Sequence, residues 1–137
     1  MTRWILSALL LCSATAALAA PDVAGNWIVQ DGSAVIAIEP CGRNMCGKIA
    51  KVLIRKPNYP QTDIRNPDPA MRRRPLIGLR ILSEFAPASD RWDNGRIYDP
   101  ESGKSYRSVL KINADGSLKV SGCVFFICRS QRWTRAP

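Results

Sequence analysis

The apolar residues of this chain recur at every second position in short segments, and turn residues separate these segments. "NWIVQ" and "SAVIAIE" both alternate in this way, and the second places Ile36 and Ile38 on one face. The turn signal Asp31-Gly32 lies between them. A period of two, interrupted by such turns, is typical of antiparallel strands joined by hairpins. The pattern therefore predicts an all-β domain.

The same alternation continues to the end of the chain in "GKIAKVLI", "PLIGLRILSEF", "NGRIYD", "KSYRSVLKI", "SLKVSGC" and "CRSQRWTR". In the second of these segments it places Ile81 and Phe85 on one face, with Arg80 and Leu82 on the other. We count eight predicted strands, and an antiparallel meander of this size most economically closes on itself, because closure removes unpaired edges. We expect a small up-and-down β-barrel, with a β-sandwich as the alternative. Such a barrel holds its own side chains or one small ligand.

One long segment does not follow the strand pattern. Residues 55–75 contain five prolines and no strand signal, and a connection of this length indicates a functional or mobile loop. Asp68 is suited to cap a short helix in "PAMRRR", and Pro69 is suited to begin it. Because Pro75 disfavours a helical Arg74, we expect at most two helical turns, near one mouth of the barrel.

The first twenty residues have the layout of a secretory signal peptide. Arg3 precedes the apolar residues 4–11, which are too few to span a bilayer stably, and Ala17-Leu18-Ala19 resembles a cleavage site. Cleavage is expected after Ala19 or Ala20. We therefore exclude residues 1–20 from the fold, and expect residues 21–137 to form a single periplasmic or secreted domain without a transmembrane segment.

Removal of the leader takes Cys12 with it and leaves four cysteines in two C-x4-C pairs. In an oxidising compartment an even number of cysteines indicates disulfides. The spacing fits the two arms of a hairpin, so we favour Cys41–Cys46 and Cys123–Cys128 over the crossed pairings. A metal site is not expected, because zinc knuckles use a shorter spacing and the chain has no histidine. The apolar "VFFI" inside the second pair is either an interaction patch or packs across the barrel end.

The residue types needed for catalysis are sparse. The absence of histidine removes the commonest general base, and most acidic residues fall in predicted turns, where they bond the local backbone. "SGKSY" lacks the upstream glycine of a phosphate-binding loop. Asp63 and Glu84 have no evident partner or role. We therefore predict no enzyme activity and no cofactor.

The chain is basic, and loss of Arg3 with the leader lowers its formal charge only from +9 to +8. Such a charge ordinarily suggests nucleic acid. An exported chain meets lipid head groups and acidic polysaccharides instead, so we do not expect a nucleic-acid partner. The plainer explanation is that the basic residues keep the surface solvated. The aromatic residues at alternating strand positions, Trp27, Tyr106 and Trp133, fit barrel packing better than base stacking.

Two resemblances extend this interpretation. "GNW" resembles the Gly-x-Trp signature of lipocalins, whose tryptophan is packed by an arginine from the end of the barrel. That resemblance implies a cation–π contact to Trp27 from Arg132 or Arg135. The ordered set "GNW", "PCGRNMCGKI", "DIRNPDPAMRRRPLIGLRIL", "WDNGRIYDPESGKSY" and "SQRWTR" resembles the small exported bacterial proteins catalogued as domain of unknown function 2147. The resemblance implies a lipocalin-like barrel and an export signal, and it implies no established activity, ligand or catalytic residue.

Two functional hypotheses follow. In the first, the barrel of a periplasmic binding protein holds a lipid or another amphipathic anionic small molecule. Its anionic group is met at the mouth by neighbouring arginines, and an aromatic residue lines the mouth; the predicted residues are Arg72, Arg73, Arg74, Arg80 and Trp92. In the second, the barrel is filled by its own side chains, and the cationic exterior binds an anionic envelope polymer or protein.

Overall fold

The computed structural model describes residues 12–14 and 19–137. The predicted signal peptide lies mostly outside them, including Arg3, the apolar residues 4–11 and Ala17-Leu18, so it stays a prediction. Within the described residues no helix is both long and apolar enough to cross a lipid bilayer.

Eight strands and one short helical turn make up the domain. Each strand is antiparallel to the next and β8 closes on β1, so the predicted up-and-down barrel is confirmed. The strands are β1 Gly25–Ile28, β2 Ala34–Cys41, β3 Asn44–Val52, β4 Arg80–Pro87, β5 Trp92–Asp99, β6 Lys104–Ile112, β7 Leu118–Val124 and β8 Ile127–Arg135.

The two ends of the barrel differ in their connections. Because consecutive strands run in opposite directions, one end carries the β1–β2, β5–β6 and β7–β8 turns together with residues 53–79 between β3 and β4. We call residues 53–79 the lid and this end the lid end. The other end, where β1 begins and β8 finishes, is the tryptophan end. The helical turn in the lid, Pro69–Met71, is capped by the Asp68 side chain, as the sequence predicts.

Disulfides close one hairpin at each end of the barrel. Cys41 is bonded to Cys46 across the β2–β3 turn at the tryptophan end. Cys123 is bonded to Cys128 across the β7–β8 turn at the lid end. The pairing predicted from the spacing is confirmed.

The alternation predicted for β4 is wrong in one respect. The alternation predicts Leu82 and Phe85 on opposite faces of the strand. Both side chains are nevertheless fully buried, while Arg80 is exposed. The register of β4 against β3 shifts twice, and Glu84 has a φ of 64°. Such bulges insert extra residues into one strand and reverse the faces that follow. Both Leu82 and Phe85 therefore point into the barrel.

Two glycines make room for these inward side chains. A Cβ atom at Gly47 would lie 2.8 Å from Cδ1 of Leu82, and one at Gly95 would overlap the ring of Phe85. The remaining interior is occupied by buried apolar side chains, among them Trp27, Ile36, Ile38, Leu110, Leu118, Val120 and Trp133. The barrel is therefore packed with its own side chains around Leu82 and Phe85.

This packing predicts opposite outcomes for two glycine substitutions. Gly95→Ala should lower the free energy of unfolding by about 1–3 kcal/mol, because the new methyl group would overlap the Phe85 ring. Gly122→Ala is the control, since its Cβ would lie 3.7 Å from Ile97, an ordinary contact, and it should change stability by less than about 1 kcal/mol. Urea unfolding measures both. Equal effects would mean that the interior around Phe85 is not tightly filled.

Candidate functional site

The lid is held in place by contacts with two neighbouring turns. Nζ of Lys56 lies 3.5 Å from the Asp31 carboxylate in the β1–β2 turn and 3.7 Å from that of Glu101 in the β5–β6 turn. Arg65 donates a 2.8 Å hydrogen bond to the backbone carbonyl of Glu101. Gly103, with a φ of 72°, lies so close to the Arg65 backbone that a Cβ atom would overlap it. The lid is therefore fixed on the turns of the lid end.

A buried carboxylate joins the lid to the barrel wall. Asp63 is fully buried and accepts hydrogen bonds from the Tyr98 hydroxyl at 2.5 Å, Asn66 Nδ2 at 2.7 Å and Arg74 Nη2 at 3.1 Å. Its own backbone N–H donates to the carbonyl of Arg74. A buried carboxylate is tolerated only when charge and hydrogen bonds compensate for lost solvation. We call Asp63, Asn66, Arg74 and Tyr98 the latch.

The phenol of the latch is held in its neutral form. Partial burial raises the pKa of Tyr98 to about 12, and its hydrogen bond to the Asp63 carboxylate adds to the rise. Burial, followed by the nearby Glu101 carboxylate, likewise raises the pKa of Tyr59 in the lid to about 12. Around neutral pH the Tyr98 hydroxyl therefore keeps the proton that it donates to Asp63.

The arginine triplet divides into two roles. Arg74 belongs to the latch, and Arg72 donates a 2.8 Å hydrogen bond to the backbone carbonyl of Asn66. The side chain of Arg73 is exposed and makes no hydrogen bond or ion pair within residues 19–137, and the same holds for the side chain of Arg80 at the start of β4. Arg72 and Arg74 thus stabilise the lid, whereas Arg73 and Arg80 present their charges to solvent.

Trp92 lies away from these arginines. It begins β5 at the tryptophan end, where its indole N–H donates a 2.7 Å hydrogen bond to the carbonyl of Pro21. The lid and Arg80 lie at the other end of the barrel. The structure therefore does not bring the predicted tryptophan and the predicted arginines together.

The tryptophan end is closed by the residues before β1. Trp27 is fully buried and donates a 2.9 Å hydrogen bond to the carbonyl of Val23. The guanidinium carbon of Arg135 lies 4.3 Å from the centre of the Trp27 ring, within cation–π range. Arg132 instead forms an ion pair with Asp115. Of the two arginines suggested by the lipocalin resemblance, the structure places Arg135 over Trp27.

The β7–β8 hairpin extends beyond the closed part of the wall. The ladder between β8 and β1 consists of only two residue pairs, and residues 127–132 of β8 are all exposed. The turn itself is Phe125 and Phe126, which are 83% and 100% exposed, and the adjoining Val124 and Ile127 are also exposed. We call residues 123–128 the ribbon tip. It is a disulfide-closed apolar projection at the lid end.

Cations border the ribbon tip. A shallow cleft of about 910 Å³ separates the tip from β6 and is lined by Lys104, Tyr106 and Arg107 together with the two phenylalanines. Nη2 of Arg107 donates a 2.9 Å hydrogen bond to the carbonyl of Phe125. Arg96 stands directly opposite Arg107 in the ladder, and its ion pair with Glu84 at 3.7 Å partly offsets this unfavourable pairing of like charges. Tyr106, expected in the core, is only half-buried here.

Exposed large apolar side chains are concentrated at the lid end. Among the described residues, every such side chain belongs to the lid or the ribbon tip: Leu53, Ile54, Ile64, Met71, Ile77, Val124, Phe125, Phe126 and Ile127. The exposed cations Arg55, Arg73, Arg80 and Lys104 lie on the same end. We call this combined surface the lid-end surface. It is both apolar and cationic.

Comparison with known proteins agrees with this architecture. The model of a family described as uncharacterized protein conserved in bacteria (DUF2147) matches residues 25–135. The chain belongs to this family. A solved structure of protein HP1028 from the human pathogen Helicobacter pylori, described as belonging to the lipocalin family, superposes with a TM-score of 0.74 at 17% identity, covering 85% of this chain and 84% of that one. At that identity the likeness shows the fold alone. No curated protein sequence matches the chain significantly.

Two parts of the site in this DUF2147 domain differ in how far the sequence reveals them. Asp63 lies among turn-forming residues with no periodic signal, and its partner Tyr98 is 35 positions away. The ribbon tip has a clearer signal, because four consecutive apolar residues between two cysteines have no place in a strand pattern. The structure shows "VFFI" exposed rather than packed across the barrel end, and its role as an interaction patch stays a prediction.

The two roles within the triplet predict different stability effects for neighbouring substitutions. Arg74→Gln should lower the free energy of unfolding by about 1–3 kcal/mol, because it removes one of three donors from the buried Asp63 carboxylate. Arg73→Gln is the matched control and should stay within about 0.5 kcal/mol. Urea unfolding gives both values, and hydrogen exchange of the Asp63 and Leu76 amides reports on the lid itself. If both variants behave alike, the latch does not hold the lid.

Proposed function

We propose that this protein is an exported, non-enzymatic binding module that attaches through its lid-end surface to an anionic component of the bacterial envelope. One observation carries the proposal: unpaired positive charge and exposed apolar side chains lie together at one end of a barrel whose interior is filled. The function is therefore assigned to the outside of the barrel.

The charge of the lid supports an anionic target. Residues 53–79 contain six basic and two acidic side chains, and one of the acids, Asp63, is buried in the latch. Arg55, Arg73 and Arg80 are exposed and have no ion pair within the described residues. A surface with such an excess of one charge attracts and orients partners of the opposite charge. We assign the target contacts to these side chains rather than to Arg72 and Arg74.

The packing of the barrel supports exterior binding over the hypothesis of an enclosed ligand. The space between the lid and the barrel, beside Ile49, Tyr59 and Leu76, is about 50 Å³. Sites for small molecules usually measure about 300–1,000 Å³, whereas a space of this size suits one or two water molecules. A ligand inside the barrel would have to displace buried side chains such as Phe85 and Leu82.

Export is supported by two separate features. The first twenty residues have the composition of a secretory signal peptide. The disulfides Cys41–Cys46 and Cys123–Cys128 are of the kind that persists in oxidising compartments. We therefore propose the periplasm or the extracellular space as the location, where anionic lipids and polymers are the available targets.

Removing two cations from the lid end, and comparing the result with removal of two cations from the tryptophan end, tests the proposal. The mature protein should bind both phosphatidylglycerol vesicles and dextran sulfate, and binding should weaken as salt rises, because exposed charges are screened. Arg73→Gln combined with Arg80→Gln should reduce affinity for both by about tenfold or more, at roughly 1 kcal/mol per cation near an anionic surface. Sedimentation with vesicles and titration calorimetry with the polymer measure these affinities.

The control removes two exposed cations from the tryptophan end, in Arg43→Gln combined with Lys119→Gln. Both double variants lower the net charge equally, so this control should retain nearly full affinity. Equal losses in the two would show that binding follows net charge and not the lid-end surface. If the protein binds neither target in a salt-dependent way, the proposal is refuted.

A further inference from the structure

We infer that the anionic component is the surface of a lipid bilayer, and that the ribbon tip inserts Phe125 and Phe126 into it. This inference rests on the proposed function, because it names the partner of the lid-end surface. The tip carries two adjacent aromatic side chains that are 83% and 100% exposed. Exposed apolar patches of this kind mark sites of contact with membranes or proteins.

The backbone of the tip supports a role for the aromatic side chain itself. Phe125 has a φ of 52°, in the left-handed region that bulky residues rarely adopt. Two-residue hairpin turns that need a positive φ ordinarily use glycine or asparagine. Unfavourable backbone conformations of this kind cluster at functional sites. A phenylalanine here costs stability that a glycine would not, so folding does not explain its ring, and we assign the ring to contact with a partner.

The cations around the tip select an anionic interface. Arg107 is tied to the tip by its hydrogen bond to the Phe125 carbonyl, and Arg96 lies opposite it in the β5–β6 ladder. Arg96 already has the Glu84 carboxylate as an ion-pair partner at 3.7 Å. A phosphate in the cleft beside Arg107 and Lys104 would accept charge-assisted hydrogen bonds from them. Lipid phosphates lie directly above the apolar acyl region, which matches an apolar tip bordered by cations of the neighbouring strands β5 and β6.

A bilayer accounts for both the cations and the exposed apolar side chains of the lid-end surface. A soluble polyanion satisfies the arginines but leaves the phenylalanines in water. A protein partner would need a pocket shaped to a projecting turn, whereas a lipid interface deforms around it. The lid adds exposed apolar side chains such as Ile64 and Ile77 beside Arg73 at the same end of the barrel. One direction of approach therefore brings both the tip and the lid to the membrane.

Substitution of the outermost residue tests insertion. Phe126→Ser should lower affinity for vesicles of phosphatidylglycerol and phosphatidylethanolamine by at least about tenfold, because it removes the apolar area of one phenyl ring. Phe126→Leu keeps much of that area and should retain most of the affinity. The wild type and both variants should bind dextran sulfate equally, since the polymer has no apolar interior into which the ring could insert.

The outcomes separate this inference from the proposed function. If dextran sulfate binds but vesicles do not, or if Phe126→Ser binds vesicles as the wild type does, membrane insertion is overturned while the cationic binding module stands. If neither target binds, both proposals fail. Capture of a protein partner that is lost in Phe126→Ser, without vesicle binding, would also overturn the membrane assignment.

A second substitution separates binding from folding. Phe125 has a φ of 52°, which glycine adopts without strain. The melting temperature of Phe125→Gly should therefore equal or exceed that of the wild type. Its vesicle affinity should nevertheless fall by about tenfold. A parallel fall in melting temperature and affinity would mean that the ring serves the fold, and would contradict the inference.

A tryptophan probe tests depth directly. Phe126→Trp should be quenched by lipids brominated on their acyl chains, beyond the quenching of the wild type. The native Trp27 and Trp133 are buried and Trp92 lies at the tryptophan end, so they supply only a background. Vesicle binding without this additional quenching would show attachment at the head groups alone and would overturn insertion.

Discussion

The structure depends on how little space a closed barrel of eight strands encloses. Such a barrel is just wide enough for its own side chains or one small ligand. Here Phe85 packs where Gly95 has no side chain, and Leu82 packs against Gly47. The bulges in β4 direct both large side chains inward. Because the interior is used for packing, we place the proposed binding at one end and on the outer surface.

The buried carboxylate of Asp63 gives one of those ends a fixed shape. Its hydrogen bonds from Tyr98 on the barrel and from Arg74 and Asn66 on the lid hold a proline-rich segment that lacks strand pairing along most of its length. The lid consequently presents Arg73 and its apolar neighbours in a defined arrangement. The disulfide Cys123–Cys128 within the ribbon tip likewise fixes the turn that carries Phe125 and Phe126. Both parts of the lid-end surface are thus preorganised, which lowers the entropic cost of binding.

The parts of the fold that could be predicted from the sequence are those with a local cause. A period of two predicts strands, Asp31-Gly32 predicts a hairpin, and the cysteine spacing predicts the disulfides. The parts that could not be predicted depend on pairing between distant segments. The reversal of faces at Leu82 follows from two shifts of register against β3, which no property of β4 alone reveals.

The same distinction applies to the candidate site. The triplet at residues 72–74 is uniform in sequence, yet its division into structural and exposed arginines depends on Asp63 and Asn66. Trp92 and Arg80 are twelve positions apart and belong to adjacent strands, but antiparallel pairing places them at opposite ends of the barrel. The "VFFI" segment has a local signal, because consecutive apolar residues violate the alternation of the strands around it.

The most direct measurement of where this protein binds is an NMR titration of the isotopically labelled mature chain with bicelles containing phosphatidylglycerol. Binding through the lid-end surface should shift or broaden the amides of Arg73, Arg80, Phe125 and Phe126, and leave the inward methyl groups of Leu82 and Leu110 unchanged. Shifts centred on those buried methyl groups, with the lid-end amides unaffected, would place a ligand inside the barrel and contradict exterior binding.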